Sequence, residues 1–232
     1  MKRFWKSAAA VCSGDAWSIE LDGRPVRTPA RALLQVGPEA LAEAIAAEWR
    51  AAGETVDPRA MPLTGLANAA LDRVQPDREA FAAGLAKYGE SDLLTYRAGS
   101  PRALAERPAG AWDPLLHSAR RRYDVDFVVT EGVSFVPQAP ATLTRLGQAV
   151  AALDAFRLAG LSPLVTIGGS LVAALAVAEE AAGVEEAWSA VTVDERWQLE
   201  KWGADAEAEA ALENRRTEFM AGARFLELLR SA

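Results

Sequence analysis

Between residues 57 and 62 the chain changes its hydrophobic period, and that change limits the folds open to it. Upstream, Trp17, Ile19 and Leu21 alternate with Ser18 and Glu20, the period of a strand with one buried face. Asp22-Gly23 is a two-residue hairpin signal, Ser13-Gly14-Asp15 is turn chemistry, and short apolar runs at 6–12, 26–28 and 33–36 read as further strands, with Pro25 near an edge. Pro38 opens a helix carrying Leu41, Ile45 and Trp49 at helical spacing, and Gly53 ends it. Asp57-Pro58 and Met61-Pro62 then form a linker.

Downstream the period is helical, with segments expected over 64–74, 76–88, 101–123, 141–158, 164–182, 185–202 and 205–230. Thr64 is expected to cap the first of them. The 101–123 segment should break near Pro108 and at Trp112-Asp113-Pro114, and 127–136 reads as an extended hairpin around Glu131-Gly132. Residues 92–98 fit either a short strand or a helical continuation. In the last segment Leu212, Phe219, Leu226 and Leu229 form one apolar stripe. The pattern predicts an α+β protein: a small N-terminal antiparallel β-sheet domain with a covering helix over 1–60, then a larger all-helical domain over 61–232.

Composition excludes several functions. A net charge of −7 lacks the basic footprint that nucleic acid requires. The charge is uneven, +2 over residues 1–122 and −9 over 123–232, so the second half suits a basic partner surface or simply favours solubility. Cys12 is the single cysteine and His117 the single histidine, which removes disulfide frameworks, Cys or His-pair metal sites and most catalytic triads. The apolar stretch after the charged start is too short for a secretory signal, and the longest apolar run, 161–178, is interrupted by Pro163 and Gly168-Gly169. A cytoplasmic chain with no membrane insertion is expected. No phosphate-binding glycine loop, nucleophile elbow or pKa-splitting carboxylate pair is present, so neither catalytic residues nor cofactor or metal ligands are expected.

The densest chemistry lies at 194–207, which holds seven charged side chains, two tryptophans and Gly203 between two helical segments. Trp197 and Lys201 share a helix face. Gly203 stands where a helix ends, Asp205 where the next wants an N-cap, and Glu207 in its first turn. One reading is a corner whose tryptophans plug the core, with Asp205 only capping and Glu207 only meeting the dipole. The other is a protein-recognition corner made of Asp194, Glu195, Trp202, Asp205 and Glu207.

Fragments along nearly the whole chain, in order, resemble one family. They are Arg3-Phe-Trp-Lys6, Leu21-Asp-Gly-Arg-Pro-Val-Arg-Thr-Pro29, Glu48-Trp49, Met61-Pro-Leu-Thr64, Leu66-Ala-Asn68 and Asp72-Arg73-Val74. Further on come Asp92-Leu-Leu, Tyr96-Arg97-Ala98, Trp112-Asp-Pro-Leu-Leu116, Gly169-Ser-Leu171 and Trp202-Gly-x-Asp-x-Glu207. The chain resembles the assembly chaperones of the F-type ATP synthase catalytic head. His117, where an aromatic is more usual, and Thr95, often cysteine, are the departures.

The resemblance implies a non-enzymatic protein that holds the unassembled α subunit until the β subunit replaces it. It also implies that the acidic positions near Asp205 and Glu207 contact that subunit. A chain that is monomeric when free is expected, and the resemblance implies the bacterial cytoplasm, or the mitochondrial matrix in organellar relatives. An enzyme lining an inter-domain groove with Arg73, Tyr96, Arg97 and Asp113 is the alternative, separable by whether a deep pocket holds buried titratable groups.

Overall fold

In a computed structural model, residues 2–97, 102–132, 134–203 and 205–230 are described, without the side chains of 102–108 and 202. The period-two segment forms a four-stranded antiparallel sheet. Strand β1 (Ala8–Ser13) pairs with β2 (Ala16–Leu21) from Ala8↔Leu21 to Ser13↔Ala16. β2 pairs in turn with β3 (Arg24–Pro25) and β4 (Gln35–Val36). Asp22 (φ 49°) and Gly23 (φ 76°) both adopt positive φ between Leu21 and Arg24, the conformation a tight two-residue hairpin demands. The return strand is shorter than the expected 26–28 run. Pro25 has no N–H for the ladder; beyond it the Val26 N–H reaches the Ile19 carbonyl at 2.8 Å and Arg27 bridges to Leu33.

Helix α1 (Glu39–Ala51) covers the inner face, burying Leu41, Ile45 and Trp49 against Ile19, Leu34 and Val36. The N-terminal motif locks the chain start to this helix: the Trp5 indole N–H donates to the Trp49 carbonyl at 3.1 Å, and the Arg3 guanidinium donates to the Arg50 and Ala52 carbonyls. Helix α2 (Pro62–Ala69) begins with Leu63 and Thr64 N–H groups both donating to the Glu48 carboxylate at 2.8 Å. The cap expected of Thr64 therefore comes from α1, and the Thr64 hydroxyl joins as a third donor to Glu48.

The chain continues through irregular helical turns into α3 (Arg78–Ala86), then a turn at Leu93–Thr95 and strand β5 (Tyr96–Arg97). Helix α4 (Arg102–Tyr123) runs without interruption through Pro108 and Pro114, against the breaks expected there. Trp112, Leu115 and Leu116 on it are buried, and tertiary packing outweighs the local proline penalty. Strand β6 (Thr130–Glu131) pairs in parallel with β5, so the expected 127–136 hairpin does not form. Its partner strand is non-local, and Gln138 clamps the Val128 backbone through two 2.9 Å bonds instead.

Six helices complete the described chain: α5 (Pro140–Ala151), α6 (Ala155–Gly168), α7 (Leu171–Ala178), α8 (Val184–Val191), α9 (Val193–Trp202) and α10 (Ala206–Arg230). The expected 164–182 and 185–202 helices are each divided. The first divides at Ser170, which caps α7. The second divides at Thr192, whose hydroxyl donates to the Trp188 carbonyl at 2.7 Å and whose backbone leaves the helical region.

The architecture is the expected α+β one, a small antiparallel sheet with its helix followed by a mostly helical region, to which the short β5–β6 ladder is added. Two compact units emerge. One comprises residues 1–78, 154–160 and 224–232, and the other 79–153 and 161–223. Residues 61–78, expected in the second domain, group with the first unit, where Leu63 and Ala67 join the sheet core. Phe225 and Leu228 from the end of α10 join the same core. In the second unit α7 is buried from Leu171 to Val177, with Trp112, Trp188 and Phe219 among the largest enclosed side chains.

Candidate functional site

The acidic corner is built from the ends of α8, α9 and α10. Gly203, at φ 92°, closes α9 with its N–H on the Leu199 carbonyl, a backbone angle that favours glycine. Asp205 then accepts the Glu207 N–H on its carboxylate at 3.2 Å, while its carbonyl takes the Glu209 N–H at 2.9 Å, so it caps α10 as its position suggests. Glu207 is exposed in the first turn, and among the described residues its carboxylate has no hydrogen-bond or ion-pair partner. Lys201 lies 6.0 Å from the Trp197 ring centre, as the shared face requires. The Trp202 side chain falls outside the described part of the structure.

The other two candidates are engaged internally. Both Glu195 oxygens accept from the Arg215 guanidinium, one at 3.0 Å, and the adjacent Arg216 meets Glu185 at 2.6 Å. Two consecutive arginines on α10 thus staple α9 and α8. Asp194 is half-buried and its Oδ1 has no hydrogen-bond partner. Burial, with the Glu195 carboxylate beside it, pushes its pKa up. The structure therefore separates the five: Asp205 and Glu207 face solvent, whereas Glu195 and Asp194 turn toward their own fold.

Beside this corner α4, α8 and α9 enclose an open cleft of about 410 Å³. It is lined by Gly110, Ala111 and Pro114 from α4, Ala190 from α8, and Glu186, Arg196 and Glu200. The Trp112 indole N–H donates to the Ala190 carbonyl at 2.7 Å and fixes α4 against α8. Of these residues the sequence marks Pro114 as an expected helix break, and nothing local in it marks a cleft. The available signal was Trp112-Asp113-Pro114, a proline inside an apolar helical pattern.

Much of the remaining motif chemistry maintains architecture. The Asp72 carboxylate takes the Thr28 hydroxyl at 2.6 Å and the Ala30 N–H at 2.9 Å. Asp92, fully buried, accepts from Leu94 N–H (3.0 Å), Ser170 Oγ (2.8 Å) and Val172 N–H (2.9 Å), capping α7 from outside. Burial outweighs these donors and pushes its pKa up to about 6. Of the groove candidates, Arg97 Nη2 donates to the Asp113 carboxylate at 2.5 Å with the guanidinium over the Trp112 ring, while Arg97 Nη1 is buried without a hydrogen-bond partner among the described residues. Arg73 belongs to the first unit and the other three to the second.

Of the three consecutive arginines at 120–122 near the end of α4, Arg122 pairs with Glu179 at 2.6 Å and Arg120 with Asp126 at 3.6 Å, and His117 is exposed. Among the described residues no group of three or more His, Cys, Asp or Glu could hold a metal ion. Among them, too, no helix is long and apolar enough to cross a membrane.

The sequence profile of the ATP12 chaperone protein matches residues 2–120, and the chain belongs to that family of ATP synthase assembly chaperones. It is 25% identical over 218 residues to the mitochondrial atp12 protein of Schizosaccharomyces pombe, covering 88% of this chain and 74% of that one. Its fold is that of Atp12 from Paracoccus denitrificans, at 43% identity and TM-score 0.93, covering 99% of this chain and 98% of the other. An aspartate-to-lysine mutant of the Paracoccus protein matches with the same values.

Proposed function

We propose that the chain binds the unassembled α subunit of the F-type ATP synthase catalytic head and shields it until the β subunit takes its place. In this reading it acts as a monomer, through surface contact and without bond chemistry, in the bacterial cytoplasm or the equivalent matrix compartment. The observation that carries the reading is the start of α10, where the carboxylates of Asp205 and Glu207 are exposed and free of internal cations among the described residues. They lie in a half of the chain with net charge −9. An unassembled ring subunit exposes apolar interface and tends to aggregate, so a holder must cover that surface yet release it. Charge at the rim of such a contact supplies encounter rate and selectivity without excessive tightness. Trp202, on the last turn of α9, is the proposed aromatic contact, while Glu195, paired with Arg215, and half-buried Asp194 support the corner from within.

The test is a titration of isolated α subunit with the wild type and with Glu207→Lys, each checked by thermal melting. The charge reversal is expected to weaken binding by about tenfold or more with little change in melting temperature. Undiminished binding by a folded variant would leave α10's first turn with only an architectural role.

A further inference from the structure

One edge of the N-terminal sheet offers backbone groups that have no partner among the described residues. The Ser7 carbonyl accepts the Asp22 N–H at 3.1 Å, so the bonded pairs that follow in the β1–β2 register are Ala9–Glu20 and Val11–Ser18. The alternate residues Ala8, Ala10 and Cys12 therefore point their N–H and C=O groups away from β2. The same alternation turns Ile19 to the far side of β2, where it bonds Val26 and Leu34. β1 pairs with β2 alone, and among the described residues only the Ala8 carbonyl finds a partner on the open side, the Arg50 guanidinium at 3.1 Å. Sheet edges are commonly protected by a charge, a proline or a bulge along the strand. β1 reads Ala-Ala-Ala-Val-Cys-Ser, carries none of the three, and keeps an unbroken register from Ala8 to Ser13.

Alternating free donors and acceptors along an extended strand fit one kind of ligand, another extended backbone that supplies the missing half of the ladder. We infer that β1 receives a short extended segment of the client polypeptide as an added strand, hydrogen-bonded to Ala10 and Cys12. Ala9 and Val11 alternate with the core-packed Ala8 and Ala10 and lie on the sheet face away from α1. Val11 is 37% exposed there, so the incoming strand is expected to carry an apolar side chain beside it. Arg50 limits the length of that strand and disfavours a second copy of β1 as the occupant. Antiparallel self-pairing about Ala10 sets Ala8 of each chain opposite Cys12 of the other and meets an Arg50-capped carbonyl at both ends. A client strand that stops short of Ala8 meets neither. The inference rests on the client-binding reading given above and adds to it a backbone contact, distinct from the charged one at the start of α10.

Residue-resolved amide hydrogen exchange of the wild-type chain, alone and with isolated α subunit, reads this edge directly. The Ala10 and Cys12 amides are expected to exchange readily in the free chain and to slow by about tenfold or more in the complex. Cys12→Pro removes one outward N–H and none of the bonds to β2, at an exposed position, while Cys12→Ser keeps that N–H. Cys12→Pro is expected to bind α subunit about tenfold or more weakly than wild type, with Cys12→Ser binding as wild type. Unchanged exchange at both amides in a formed complex, or full affinity in a folded Cys12→Pro, overturns the added strand and leaves the client reading standing. Equal losses in the two Cys12 variants overturn it as well. Protection of these amides in the free chain that grows with its concentration overturns it in favour of a second copy. Should Cys12→Pro not fold, the exchange result alone decides, and no binding by wild type overturns both readings.

Discussion

Asp92 shows how a single buried carboxylate can serve as a structural fastener. It accepts three hydrogen bonds, links the Leu93–Thr95 turn to the start of α7, and has no cationic partner in those contacts. Its pKa is raised from 3.8 to about 6, so the folded state holds the proton more tightly than the unfolded chain does. The stability this confers is complete below pH 3.8 and is lost as pH rises through about 6. A shift of this size is worth roughly 3 kcal/mol at most across that window. Urea unfolding of wild type and Asp92→Ala at pH 5 and pH 7 should therefore show a larger gap between the two proteins at pH 5. A gap independent of pH would mean that the carboxylate titrates alike in both states. Residue-scale roles of this kind were hidden in the sequence, because the donors on Ser170 and Val172 lie some eighty positions away.

At the scale of elements, local chemistry was legible and long-range chemistry was not. Asp22-Gly23 marks its hairpin because both residues accept positive φ without help from the rest of the chain. The 127–136 segment defeats the same reasoning, since its ladder partner Tyr96–Arg97 lies about thirty residues upstream. Asp205 reads correctly as a cap from position alone, whereas the Glu195–Arg215 pair joins two helices across twenty positions and leaves no local signature. Pro114 is the sharpest contrast. Local rules break α4 there, but buried Trp112, Leu115 and Leu116 carry the helix through. Replacing the proline by alanine restores the missing N–H and should stabilise the protein by about 1–3 kcal/mol, read as a higher melting temperature. A lower melting temperature would show that the ring itself is needed for packing.

For the molecule as a whole, family membership and the uneven charge point the same way. The motif residues Trp5, Glu48, Asp72, Asp92 and Trp112 each make a contact that holds the fold, while the half with net charge −9 carries the exposed Asp205 and Glu207 carboxylates. Such a division suits a holder, whose scaffold must stay rigid while its surface engages and releases an aggregation-prone client. Light scattering of isolated α subunit tests that account most directly. Equimolar chain should suppress the rise in scattering, and added β subunit should then free the chain from the complex. Scattering that rises unchanged in its presence, or a complex that β subunit leaves intact, would contradict the account.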